Sequence, residues 1–145
     1  YGMALYGALL KKSERDGSFT ATFDEMKSHL LQVADGNGAE TRKPRALFWL
    51  GVAYETHFAD KKRADEGLAY FERLTRSYPD SKIADDAWLH TAILYARAAR
   101  RDDARRILSR LDRPRYDQSK IYDVDKNVLV ATRDAARSLL RRISK

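Results

Sequence analysis

Leu47-Phe48-Trp49-Leu50-Gly51-Val52-Ala53-Tyr54 decides the fold. From Ala46 through Tyr54 the chain is apolar or small almost all round, which marks a helix packed on several sides rather than along one stripe. Leu47, Leu50, Gly51 and Tyr54 fall at helical neighbour spacing. A charged connection, Asp60 to Arg63, leads to a second helix predicted from Ala64 to Tyr78, which Pro79 stops. That helix carries its own small residue and aromatic, Gly67-x3-Phe71. Gly51 on one helix and Gly67 on the other let the two approach closely, while Tyr54 and Phe71 fill the space toward neighbouring hairpins. The pattern returns in degraded form as Trp88-x2-Thr91-Ala92-x2-Tyr95 followed by Ala104-x3-Leu108, its closing proline missing or displaced to Pro114.

Outward from this core the chain reads as helix and short connection. Tyr1 to Lys12 is expected to be helical, with Leu5, Leu9 and Leu10 near one face, and Ser13 to Ala21 a polar loop. Thr22-Phe23-Asp24-Glu25 has the form of a capping box, opening a helix with Phe23, Met26, Leu30 and Val33 at helical spacing. Asp35-Gly36-Asn37-Gly38 ends it, and Pro44 is expected in the first turn of the next. Asp80 or Ser81 caps a helix from Ile83 to about Ala98, and Asp102 or Asp103 starts another that ends near Leu111. Arg113-Pro114-Arg115 begins a linker. A last helix is expected from Val124 to Ile143, with Val128, Ala131, Ala135, Leu139 and Ile143 as its apolar stripe. The expectation is an all-α chain of about seven helices with no strand. It divides into a helical hairpin over residues 1–43, a repeat over 44–79, a second over 80–113, and a linker with capping helix over 114–145.

Leu47-x2-Leu50-Gly51-x2-Tyr54, Gly67-x3-Phe71 and Pro79 resemble the tetratricopeptide repeat (TPR), a helix-turn-helix unit of ~34 residues with the pattern W-x2-L-G-x2-Y, A-x3-F, P. The connection is longer than consensus by about four residues. Phe71-Glu72-Arg73-Leu74-x3-Tyr78-Pro79-Asp80-Ser81-x2-Ala84-Asp85-Asp86-Ala87 resembles the joint of bacterial cell-envelope TPR proteins, among them the BamD-type and CpoB-type repeats and the TPR segments that precede some cell-wall amidases. The resemblance spans roughly residues 45–111. It implies a scaffold that holds other envelope proteins, in the periplasm or at the periplasmic face of the outer membrane, with no catalysis in the repeats; a cytoplasmic location is the alternative. The first helices of successive repeats would line a concave groove. Arg45, Phe48, Trp49, Val52 and Glu55 fall on that side in the first copy, and Asp86, Leu89, His90, Ile93 and Arg97 in the second. Trp49 is either a groove anchor or core packed under the N-terminal hairpin. Trp88, Tyr54, Phe71 and Tyr95 are expected to pack within the repeats.

Charge and composition narrow the function classes. The net charge is +7, but residues 1–96 hold 13 basic against 14 acidic residues and residues 97–145 hold 15 against 7. Arg101, Arg105, Arg106 and Arg110 with Arg133, Arg137 and Arg141 form the basic surface. Such a surface is either a solvated face of i,i+4 pairs or a docking site for an acidic protein or polyanion. Asp102, Asp103, Asp112 and Asp134 interrupt it, and Tyr116 and Tyr122 are the only aromatics nearby, which argues against nucleic acid. With 0 cysteines, thiolate metal sites, disulfides and a cysteine nucleophile are excluded. His29, His57 and His90 share no metal-ligand spacing. No nucleophile elbow, phosphate-binding loop or dinucleotide fingerprint occurs, so no enzyme activity, small-molecule substrate or cofactor is expected. No stretch approaches the ~20 apolar residues of a membrane span. Membrane contact is therefore expected only through an anchor outside this chain, whose first residue, Tyr1, suggests a mature or excised fragment. The expected function is a protein–protein interaction scaffold. The alternatives are a polyanion or nucleic-acid adaptor, or a targeting or regulatory domain of a larger cell-wall enzyme.

Overall fold

A computed structural model describes residues 11, 17–57, 61–123 and 126–144. The expected helix over Tyr1 to Lys12 therefore falls almost wholly outside the described residues. Among the described residues six α-helices follow one another: α1 (Phe19–Asp35), α2 (Arg42–His57), α3 (Lys61–Ser77), α4 (Ala84–Arg97), α5 (Arg101–Leu111) and α6 (Thr132–Ile143). A 3-10 turn (Pro114–Tyr116) and two short strands, β1 (Lys120–Asp123) and β2 (Val128–Ala131), lie between α5 and α6. Each helix packs on the next, α1 on α2, α2 on α3, α3 on α4 and α4 on α5, with α5 packed on α6, while α2 also touches α4 and α4 touches α6. That is the contact pattern of stacked helical hairpins, a TPR-like helical repeat fold.

α2 is the pivot. Its buried residues run from Pro44 and Ala46 to Tyr54 with Trp49 the one half-buried exception, because three helices surround it. Phe23 of α1 meets the Tyr54 ring edge-on at 5.1 Å, and Phe48 meets Phe71 of α3 at 5.9 Å and His90 of α4 at 5.3 Å. Close approach to α3 depends on the two glycines. A Cβ on Gly51 would lie 2.5 Å from the Phe71 ring, and one on Gly67 would lie 2.8 Å from the Tyr54 Cβ and 3.0 Å from the Gly51 carbonyl oxygen. In the second hairpin Ala92, Ala104 and Leu108 are fully buried in one cluster with Leu111, Tyr116, Ile121 and Ala136.

Three expectations need correction. The Thr22 capping box is not a helix start: α1 begins at Phe19, and the Thr22 N–H donates to the Ser18 carbonyl inside the first turn. The loop expected over Ser13 to Ala21 therefore ends by residue 18. The last helix does not begin at Val124. β1 and β2 pair antiparallel, with Lys120 opposite Ala131, Ile121 opposite Val130 and Tyr122 opposite Leu129. β-branched and aromatic side chains favour that pleated pairing, and Asn127 takes the left-handed conformation (φ 56°) that turns the chain. Val128 to Ala131 is a short apolar run, and such a run does not distinguish strand from helix by periodicity alone. The supposed linker after Arg113 is also ordered, since Tyr116 is buried and the Tyr116 N–H donates to the Arg113 carbonyl.

α4 ends in a Schellman arrangement: the Arg100 N–H donates to the Tyr95 carbonyl at 2.8 Å and the Ala99 N–H to the Ala96 carbonyl at 3.2 Å. Ala99 occupies the left-handed position (φ 61°) where glycine carries no steric penalty. Ala99→Gly is accordingly expected to stabilise the fold by up to about 1 kcal/mol. Gly67→Ala is expected to destabilise it by about 1–3 kcal/mol, since backbone rather than a flexible side chain must yield. Urea unfolding of the two variants checks both signs.

Candidate functional site

The first helices of the two hairpins, α2 and α4, lie side by side, and the expected groove residues sit along their contact. Arg45 is exposed and Trp49 half-buried. Phe48, Val52 and Leu89 are buried, so they lie in the interior and not on an open surface. The reason is packing: α2 must face α3 and α4 at once, which leaves it little free surface. Ile93 is half-buried and packs on the second core cluster. Arg97, with 61% of its side chain exposed, lies at the surface.

A largely buried polar line runs along the α2–α4 contact. The Glu55 carboxylate lies 2.6 Å from His90 Nδ1 and 3.8 Å from the Arg97 guanidinium. The His90 ring is sandwiched by aromatics, stacked on Phe71 at 5.5 Å and edge-on to Phe48 at 5.3 Å. One turn earlier on α4, Asp86 is 5% exposed and its carboxylate accepts the Tyr122 N–H of β1 at 2.7 Å. Next to it, the Asp85 carboxylate accepts the Ser119 hydroxyl at 2.7 Å, and that hydroxyl also lies 2.7 Å from the Thr132 hydroxyl. The Trp49 and Tyr122 rings approach at 6.4 Å. Sequence reasoning placed Asp86 and Trp49 on the groove but missed Ser119 and Tyr122. Their only signal in the sequence is the β-forming run Ile121-Tyr122.

Trp49 thus meets the C-terminal hairpin on one side and Phe48, at 5.5 Å, on the other. Trp88 is half-buried against the second cluster, with the Arg110 guanidinium 5.3 Å from its ring centroid. No grouping of His, Asp and Glu among the described residues suits a metal ion.

The basic surface is partly self-neutralised. Arg100 and Arg106 pair with Asp103 at 2.9 and 3.6 Å, and Arg105 pairs with Asp102 at 3.2 Å. Asp112 accepts from Arg133 at 2.9 Å and from Arg137 at 2.8 Å, and these arginines hold its carboxyl below the usual range, chiefly through the Arg133 hydrogen bond. Arg133 also reaches Asp117 at 2.6 Å. Arg101, Arg110 and Arg141 make no ion pair among the described residues. Exposed pairs of this kind contribute little to stability, because solvent screens them. Their effect is to lower the field of the patch and leave it positive.

Residues 45–81 match the tetratricopeptide repeat family, the segment that covers α3, nearly all of α2 and the Pro79 stop. No curated protein matches the chain. The match supports a TPR-like repeat, a unit that generally mediates protein–protein contact and typically does no catalysis.

Burial pushes the Asp86 carboxyl up to about 6 from 3.8, and the Tyr122 N–H and the nearby His90 pull only partly the other way. A raised folded-state value means that the contribution of Asp86 to stability is complete below about pH 4 and is lost as pH rises through 6. Asp86→Asn keeps an oxygen to accept the Tyr122 N–H and removes the buried charge. It is expected to match the parent at pH 3.5 and to exceed it at pH 8 by on the order of 2–3 kcal/mol. Urea unfolding at the two pH values measures the difference; a variant less stable at pH 8 would mean that the ionised carboxylate is net stabilising there.

Proposed function

We propose that this chain is a non-catalytic interaction scaffold whose α2–α4 groove receives a segment of a protein partner. The observation that supports it is the direct contact of the two first helices, which carry half-buried Trp49 and exposed Arg45 on α2 and exposed Arg97 on α4. A half-buried aromatic flanked by charged rims is the arrangement from which interface anchors are drawn. Arg101, Arg110 and Arg141, unopposed by acids among the described residues, supply a positive end that steers an acidic partner into place. The Tyr78-Pro79-Asp80-Ser81 joint and the Ala84-Asp85-Asp86-Ala87 run that follows support a place in a bacterial cell-envelope assembly, on the periplasmic side. A role as the targeting domain of a larger cell-wall enzyme is compatible with the same groove.

A peptide library selected on the chain tests the groove. Enriched sequences are expected to lose affinity about tenfold or more on Trp49→Ala, at an unchanged thermal transition. Indifference to that substitution sinks the groove reading. The Arg-rich end favours a second reading, a polyanion adaptor. Heparin retention that collapses between low and moderate salt, and disappears in the triple variant Arg105→Gln, Arg106→Gln, Arg110→Gln, selects that reading. On the scaffold reading the triple variant instead slows association with the selected peptides and flattens its salt dependence, leaving dissociation unchanged.

A further inference from the structure

β2 has β1 on one side and an open edge on the other. The Thr132 N–H donates to the Ser119 carbonyl at 3.1 Å, and in an antiparallel ladder the bonded pairs then recur at every second position. Ile121 with Val130 is therefore a bonded pair, and Tyr122 with Leu129 is not. The Tyr122 N–H agrees with that phase, since it turns away from β2 to Asp86 at 2.7 Å. By the same phase the N–H and C=O of Leu129, and the N–H of Ala131, point away from β1. The outer edge of β1 lies against α4, whereas on β2 Leu129 is 66% exposed and Val128 48%. Among the described residues Val33 is the only other exposed large apolar side chain. Successive strand residues face opposite sides, so this edge is apolar on both faces.

Sheet edges are usually blunted by lysine, proline or a bulge. Val128-Leu129-Val130-Ala131 carries no charge and no proline, and its pairing with β1 runs without a bulge. The edge is also fixed in place. Ile121 and Thr132 are buried, Val130 packs on the second core cluster, and the Ser119 and Thr132 hydroxyls lie 2.7 Å apart. An incoming strand meets a preformed template, and the cost of ordering falls on the newcomer alone. Within the hairpin Lys120 and Lys126 balance Asp123 and Asp125 in charge, so the local field takes its sign from α6. That helix continues directly from β2 and carries Arg133, Arg137, Arg141 and Arg142 against Asp134. Its charge favours an acidic newcomer and opposes a second copy of the chain. A strand of 4 residues also buries far less than the roughly 1,200 Å² of a stable dimer.

We propose that the open edge of β2 docks an extended, acidic segment of a partner protein, which joins β1 and β2 as a third strand. Its main chain bonds to Leu129 and Ala131, its apolar side chains cover Val128 and Leu129, and its flanking carboxylates meet the field of α6. The site is separate from the α2–α4 groove and does not rest on it.

The full chain is titrated with a peptide of alternating valine and threonine flanked by glutamates at both ends, and amide hydrogen exchange is followed by NMR. Exchange at the Leu129 N–H is expected to slow at least about tenfold, with no change at Tyr122, whose N–H is already engaged. Two further peptides carry lysines in place of the glutamates, or N-methyl groups on the central valine and threonine, which block both edges of the peptide. Each is expected to bind at least about tenfold more weakly. Leu129→Pro removes an N–H that β1 does not use and is expected to abolish binding, whereas Trp49→Ala is expected to leave it unchanged. If the proline disturbs the hairpin, the N-methylated peptide on the unaltered chain still gives the reading. Equal affinity of the N-methylated or the lysine peptide overturns the proposal, as does a Leu129 N–H left unprotected, or protected by self-association of the chain instead of by peptide. Binding abolished by Trp49→Ala overturns the edge site and leaves the groove reading standing. Library peptides that ignore Trp49→Ala but are lost on Leu129→Pro support the edge site and sink the groove.

Discussion

The contact between Gly51 and Gly67 is the constraint from which the rest of this structure follows. Without side chains at these positions the α2 and α3 backbones come so near that the Gly51 carbonyl lies 3.0 Å from where a Gly67 Cβ would be. That proximity seats Phe71 over Gly51 and Tyr54 over Gly67. Phe71 then forms the platform on which His90 of α4 stacks, and Tyr54 the one that Phe23 of α1 meets edge-on. A single pair of small residues thus sets the position of helices on both sides of the hairpin. In an array where each unit contacts only its neighbours, this is how order in one repeat is passed to the next.

Polar groups sit inside this apolar stack only where they are answered. Glu55 and His90 form one buried pair, with exposed Arg97 3.8 Å from Glu55, and Asp86 with the Tyr122 N–H another, both at the α2–α4 seam. Burying these groups costs free energy that leucines would not, so they specify rather than add bulk stability. They fix how α4 lies against α2 and which backbone lies against α4. The basic third of the chain obeys a different rule. Arg100, Arg105, Arg106, Arg133 and Arg137 pair with nearby aspartates at the surface, so they shape the field around the molecule and leave the core untouched.

The hairpin between α5 and α6 meets the α2–α4 seam through Tyr122. At that seam Asp86 accepts the Tyr122 N–H of β1, and the Glu55 carboxylate lies 3.8 Å from Arg97. Trp49 is half-buried there, its ring shared between the interior at Phe48 and the insert at Tyr122.

What the sequence determined by itself is local or periodic. The all-round apolar run of α2, the paired small residues, the Pro79 stop and the acids at the starts of α4 and α5 are each readable in a window of a few residues, because helix packing and helix ends impose fixed spacings. Tertiary structure alone decided the rest. Whether Phe48 and Val52 face a trough or the interior depends on how many neighbours α2 acquires. Whether Val128 to Ala131 is strand or helix depends on a partner strand and on the Asn127 turn, which no one-dimensional pattern contains. The meeting of Tyr122 with Asp86 and Trp49 joins residues from three separate elements; only the folded chain brings them within reach, because hydrogen bonds and ring contacts act over a few ångströms of space and are blind to distance along the sequence.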